Sequence, residues 1–125
     1  MKKHGKTTFF WEKDLFIVEL QGPFNEEGQE YSTTHLKHSV LNQKLKHWRR
    51  LEVLCDETMG SPAVLSMVKE LYSWYEENGC YVLAVVIKNS LQKDVLERVF
   101  KSNIVKIFLD RPQAIEWLEA QKTDT

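Results

Sequence analysis

The chain predicts an α/β fold: a mixed, mostly parallel five-stranded sheet with an N-terminal antiparallel hairpin and about four helices. Three observations carry that expectation. Beyond Gly22, short apolar runs alternate with longer amphipathic segments, the pattern of parallel strands joined by crossover helices. Before it, two β-rich runs are split by three polar residues, which reads as a hairpin. Finally, 125 residues that are 42% hydrophobic and 28% charged suffice for one core and not two, so 1–125 is expected to be a single domain.

In KTTFFWEKDLFIVELQG the runs 7–11 and 15–20 flank Glu12, Lys13 and Asp14. After Gly22 and Pro23, Asn25 is placed to cap a first helix, with Glu26 and Glu27 in its first turn, where carboxylates favour the helix dipole. Tyr31, Leu36, Val40 and Leu45 recur at roughly helical spacing and mark an inward stripe. LEVLC, 51–55, is short and apolar enough for a buried strand. A second helix is expected over 62–78: the Ser61 oxygen can accept from an early amide, Pro62 lacks an N–H that would go unpaired there, and Gly79 ends the helix. CYVLAVVI, 80–87, is an almost wholly apolar strand. Ser90 can cap a third helix with Leu91, Val95, Leu96, Val99 and Phe100 inward and Lys93, Asp94, Glu97 and Lys101 outward. VKIFL, 105–109, is the fifth strand. Asp110 and Pro112 open a closing helix carrying Ala114, Ile115 and Leu118, and 120–125 forms a frayed tail.

Several function classes fall away on composition. The net charge of -1 is spread through mixed-sign segments, and Lys44, Lys46, Arg49 and Arg50 make the only basic cluster, too little for a nucleic-acid footprint. No apolar run approaches the ~18 residues of a membrane span, and no signal-peptide pattern precedes the first strand, so a cytoplasmic protein is expected. Cys55 closes one strand and Cys80 opens the next, at opposite ends of a parallel pair, so no disulfide is expected. His35 and His38 lie three apart on the first helix, but zinc needs three or four ligands and no second pair has suitable spacing; no metal and no other cofactor is expected. Asp56 and Glu57 are adjacent at a strand end and point to opposite sides, a poor arrangement for paired acid and base. Neither Gly-x-Ser-x-Gly nor a Gly-rich phosphate loop occurs. No residue is assigned a catalytic role, and a non-enzymatic protein is expected.

The hairpin ending in IVELQGPF, the strand LEVLCDE running into a glycine-containing turn and long helix, the CYVLAVVI strand and the closing FLDRPQAIEWL together resemble a STAS domain. Within that superfamily the likeness is to the SpoIIAA-like small bacterial proteins, through GPFNEEG, LYSWYEENGC and AIEWL. The resemblance covers nearly the whole chain and rests on element order and apolar strands. It implies a regulatory, anti-sigma factor antagonist-like module that docks on a partner through the 56–61 turn and the following helix. In phosphorylated members that turn reads Asp-Ser-Ser-Gly and its first serine takes the phosphate. The nearest letters here are Glu57-Thr58-Met59-Gly60, which place Thr58 at the acceptor position and a methionine where the second serine stands.

Two binding readings follow. The helix N-terminus near Thr58, Gly60 and Ser61 can hold an anion or present a hydroxyl for phosphorylation, because partial positive charge gathers there. An accessible, polar turn would mark this protein-docking reading. The second helix, however, carries Val64, Met67, Val68, Leu71, Trp74 and Tyr75 on one stripe, and Leu65 and Tyr72 widen it beyond what one sheet face needs. The alternative is therefore an apolar groove or patch formed by Phe24, Met59, Leu65, Tyr72 and Trp74 for a lipid, another apolar small molecule or a membrane surface.

Overall fold

Lys6–Glu12 (β1) and Leu15–Gln21 (β2) pair antiparallel, Glu12 opposite Leu15, around a turn in which Lys13 takes a φ of 56°. The computed structural model, which describes residues 2–58 and 60–122, continues this hairpin into a parallel sheet. Trp48–Leu54 (β3), Cys80–Val86 (β4) and Val105–Phe108 (β5) follow in the spatial order β1-β2-β3-β4-β5. The connecting helices are Glu26–Gln43 (α1), Pro62–Glu77 (α2) and Ser90–Val99 (α3), with Arg111–Ala120 (α4) last. The hairpin, the mixed five-stranded sheet and the four helices are those the sequence predicts.

Strand order equals chain order, so each right-handed crossover lays its helix on the same side of the sheet. α1, α2 and α3 share that face, where Phe16, Val18, Trp48, Leu71 and Tyr75 form one cluster and Leu54, Leu83, Val85, Leu96 and Phe100 the next. α4 covers the other face alone through Ala114 and Leu118, against Ile17, Leu51, Ala84 and Val86. The period-2 alternation of the strands supplies both layers at once.

β3 corrects the sequence reading in one respect that matters. It begins at Trp48 and not at Leu51, and so takes Arg49 and Arg50 inside, at 2% and 1% exposure. Each survives burial because a counter-charge faces it. Arg49 forks onto Asp14 at 2.7 and 3.2 Å and donates to the Leu118 carbonyl at 3.0 Å; Arg50 lies 3.3 Å from Glu52. The basic cluster read from the sequence is thus half interior.

The helix caps are legible in the sequence with one shift. Asn25 and Asp110 accept from Gly28 N and Gln113 N, as their positions predict, whereas α3 is capped by Asn89, which accepts from Gln92 N at 2.9 Å, in place of Ser90. The inward stripes are narrower than periodicity suggests: Tyr31 and Leu91 are 52% and 62% exposed, and Leu45 lies past the end of α1. At α1 small and polar residues do the packing, Gly28, Gln29 and Ser32 lying buried with Leu36 and Val40. Gly79 closes α2 at a φ of +106°, where a Cβ would come within 2.4 Å of the Lys46 carbonyl. The helix α4 takes up Ala120, the first residue of the expected tail; 123–125 lie outside the described residues. Among the described residues no helix is long and apolar enough to cross a membrane.

Ser61 caps α2, accepting from Val64 N at 3.2 Å ahead of Pro62 in the first turn. Ser61→Ala is expected to lower stability by about 1 kcal/mol, read as a reduced urea midpoint, while Ser61→Asp retains it because aspartate both caps and complements the dipole. An unchanged midpoint in the alanine protein would show that this cap contributes nothing.

Candidate functional site: a cleft beneath the α2 turn

The C-terminal ends of β2 and β3 bring Leu20 and Leu54 side by side, and the turn leading into α2 passes above them. Phe24 reaches across from the other connection and pairs with Gly60 in an isolated parallel bridge. Between them lies a hollow of about 50 Å³, partly open to solvent, with apolar walls from Phe24, Leu65, Val68, Leu96 and Phe100. Glu52 and Tyr72 form its polar lining together with Gln29 and Thr58. Gly60 has a steric reason to be glycine: a Cβ there would sit 2.4 Å from Val64 Cγ1.

Thr58 faces inward. It is 7% exposed, and its hydroxyl donates to the Leu20 carbonyl at 2.8 Å while accepting from Cys55 N at 2.9 Å. The Cys55 sulfur stands 2.9 Å from the same oxygen; since the hydroxyl's single proton goes to Leu20, the thiol is the donor. This residue therefore ties the turn to β2. Asp56, Glu57 and Ser61 are the turn's exposed side chains, and Met59 lies outside the described residues. From the far side, buried Gln92 donates to the Cys55 carbonyl at 2.7 Å and accepts from Lys88 N at 2.8 Å, while Asn89 donates to the Asp56 carbonyl at 3.2 Å.

Below the cleft lies a charged cluster. Tyr72 donates to Glu52 at 2.7 Å, Arg50 pairs with the same carboxylate oxygen, and the guanidinium carbon stands 3.8 Å and 4.4 Å from the ring centroids of Tyr75 and Tyr72. Burial, followed by the Glu52 charge, holds the Tyr72 phenol well above its ordinary range. Burial likewise pushes the Cys80 thiol up to about 11, so both groups stay protonated and unreactive near neutral pH. Among the described residues, Arg50 Nε and Nη1 are buried without a hydrogen-bond partner. Arg50 also lines a second, inner hollow of about 20 Å³ between α1, α2 and the sheet, which shares Leu20, Gln29, Glu52, Val68 and Tyr72 with the outer one.

No protein-family model matches this chain, and no curated protein matches its sequence. Solved structures do match. A protein of the DUF3478 family with a SpoIIAA-like fold, from Shewanella loihica, superposes at a TM-score of 0.64 and 18% identity, over 94% of this chain and 96% of that one. The fold is SpoIIAA-like. The Bacillus cell fate determinant SpoIIAA, in its phosphorylated form, matches at a TM-score of 0.54 and 12% identity, over 90% of this chain and 99% of that one.

On this SpoIIAA-like fold the residues singled out in the sequence part company. Phe24, Leu65 and Tyr72 converge on the cleft, with Thr58 and Gly60 at its rim. Trp74 does not join them: it lies on the α1 side of α2, half-buried, with Lys37 Nζ 5.3 Å above its ring. Tyr72 on the other flank meets Phe100 of the α3 end at 4.8 Å between centroids. The broad stripe of α2 thus arises from wedging between two neighbouring helices. Among the described residues the exposed large apolar side chains, Phe10, Tyr31, Leu41, Leu91, Leu109 and Ile115, are spread over β1, α1, α3, the residue after β5 and α4. His35 and His38 are exposed, and among the described residues no group of three His, Cys, Asp or Glu could hold a metal ion. Sequence reasoning missed Arg50, Glu52 and Gln92. Their signal was present, since Arg50 and Glu52 alternate on one face of an apolar strand and Gln92 stands four before the buried Leu96.

Proposed function

We propose that this chain is a non-enzymatic, regulatory binding module of the STAS type, and that its working site is the cleft beneath the α2 turn, which takes up an apolar group of a small molecule. The observation carrying the reading is that Phe24, from the connection between β2 and α1, and Leu65 and Tyr72, two turns apart on α2, converge on one partly open hollow. Support also comes from the turn, where the Thr58 hydroxyl is engaged by Leu20 and Cys55 and so is not offered to a kinase. Benzene titrated into the folded protein is expected to shift the methyl NMR signals of Leu65, Val68 and Leu96 saturably. Val68→Trp, which fills the hollow, is expected to weaken that binding at least about tenfold while altering stability by no more than about 1–3 kcal/mol. Equal binding by the filled variant would place benzene elsewhere and end this reading. Vesicle co-sedimentation separates uptake of a free molecule from contact with a lipid surface.

A second reading rests on Ser61, an exposed hydroxyl at the start of α2. SpoIIAA has a phosphorylated form, and the corresponding proposal is that a protein partner docks on this turn under control of a phosphate at Ser61. Intact-mass analysis after incubation with kinase-active extract, on the natural chain and on Ser61→Ala, tests it.

A further inference from the structure

We infer that the ligand of this cleft carries an uncharged, hydrogen-bond-accepting oxygen and that Arg50 recognises that oxygen from the inner hollow. The inference rests on the cleft reading and names the chemical class that the cleft selects. Arg50 is 1% exposed, and its guanidinium makes one charged contact, Nη2 to Glu52 at 3.3 Å. Tyr72 and Tyr75 lie against the faces of the ion, but an aromatic face supplies no lone pair in the plane of the N–H groups. Among the described residues Nε and Nη1 find no acceptor, a state that buried polar groups in native proteins rarely keep.

The size of the hollow says what can serve them. About 20 Å³ is room for one oxygen-bearing group, since a water already needs ~10–15 Å³. The two hollows adjoin through these shared residues, and the proposed ligand places its oxygen beside Arg50 and its hydrocarbon against Val68 and Leu65. The charge balance then selects the head group. Glu52 already neutralises Arg50, so a carboxylate would bring a third buried charge next to a like one, whereas a ketone, alcohol or ester oxygen accepts the same hydrogen bonds without that penalty.

The test is a pair of titrations of the folded full chain, with 2-hexanone and with hexanoate at neutral pH. Methyl signals of Leu65 and Val68 report the outer hollow, and the Nε–H signal of Arg50 reports the head-group contact. 2-Hexanone is expected to shift both sets together, and hexanoate to bind at least about tenfold more weakly. The double variant Arg50→Met/Glu52→Gln, which keeps the charge balance and leaves Tyr72 an acceptor, is expected to lose that preference. Hexanoate binding as tightly as 2-hexanone overturns the inference. So do methyl shifts without any Arg50 shift, an outcome that leaves the cleft reading standing. If neither compound moves the methyl signals, an ordered water alone occupies the inner hollow and both proposals fall. Should the double variant not fold, the Arg50 signal of the natural chain still decides.

Discussion

Glu52→Gln is expected to destabilise the protein by about 3–5 kcal/mol, because it leaves Arg50 as a buried charge without its counter-ion. Glutamine keeps the shape and still accepts from Tyr72, so the loss reports the charge and not a cavity. The desolvated guanidinium has nowhere to turn: the rings of Tyr72 and Tyr75 hold it at 4.4 Å and 3.8 Å, and no solvent reaches it. Adding Arg50→Met to the same protein removes the uncompensated ion and is expected to restore most of the loss, since exchanging both members of a buried pair is often neutral. Urea unfolding followed by circular dichroism gives both values. A single variant within about 1 kcal/mol of the natural chain, or a double variant no better than the single, would show that the pair is not coupled as its geometry indicates.

Trp48→Ala is expected to cost a similar amount, about 3–5 kcal/mol, for a different reason. The indole is 0% exposed, lies 5.5 Å from Trp11, 6.0 Å from Phe16 and 5.4 Å from Tyr75 between ring centroids, and donates to the Asn78 carbonyl at 2.8 Å. Its removal opens a cavity where the start of β3 meets the end of α2, and a close-packed interior closes such a void only partly. Phe10→Ala is the matched control. Half exposed on β1, it should change stability by no more than about 0.5 kcal/mol. Equal losses in the two proteins would mean that the aromatic cluster does not support the fold.

Much of the architecture could be read in the chain because local physics repeats along it. The polar break at Glu12-Lys13-Asp14 marks the hairpin, Asn25, Ser61 and Asp110 mark helix starts through their side-chain oxygens, and Gly79 marks a stop through its backbone freedom. The candidate site was only half legible. An excess of apolar side chains on α2 signalled that something beyond one sheet face meets it, and Phe24, Leu65 and Tyr72 do gather there; nothing local distinguished Tyr72, turned toward α3, from Trp74, turned toward α1.

Element order, strand direction and capping belong to the sequence alone, because each depends on residues a few positions apart and on the periods 2 and 3.6. What surrounds a side chain depends on segments distant in the chain. Arg50 looked like part of a surface basic cluster until α1 and α2 closed over it, with Tyr72 and Tyr75 arriving from more than twenty residues away to make burial of a charge tolerable. Thr58 looked like an offered hydroxyl until Leu20, thirty-eight residues earlier, supplied the carbonyl that turns it inward. Burial and hydrogen-bond pairing are properties of the packed whole, and only the tertiary structure could decide which polar groups hold the fold and which remain free for a ligand.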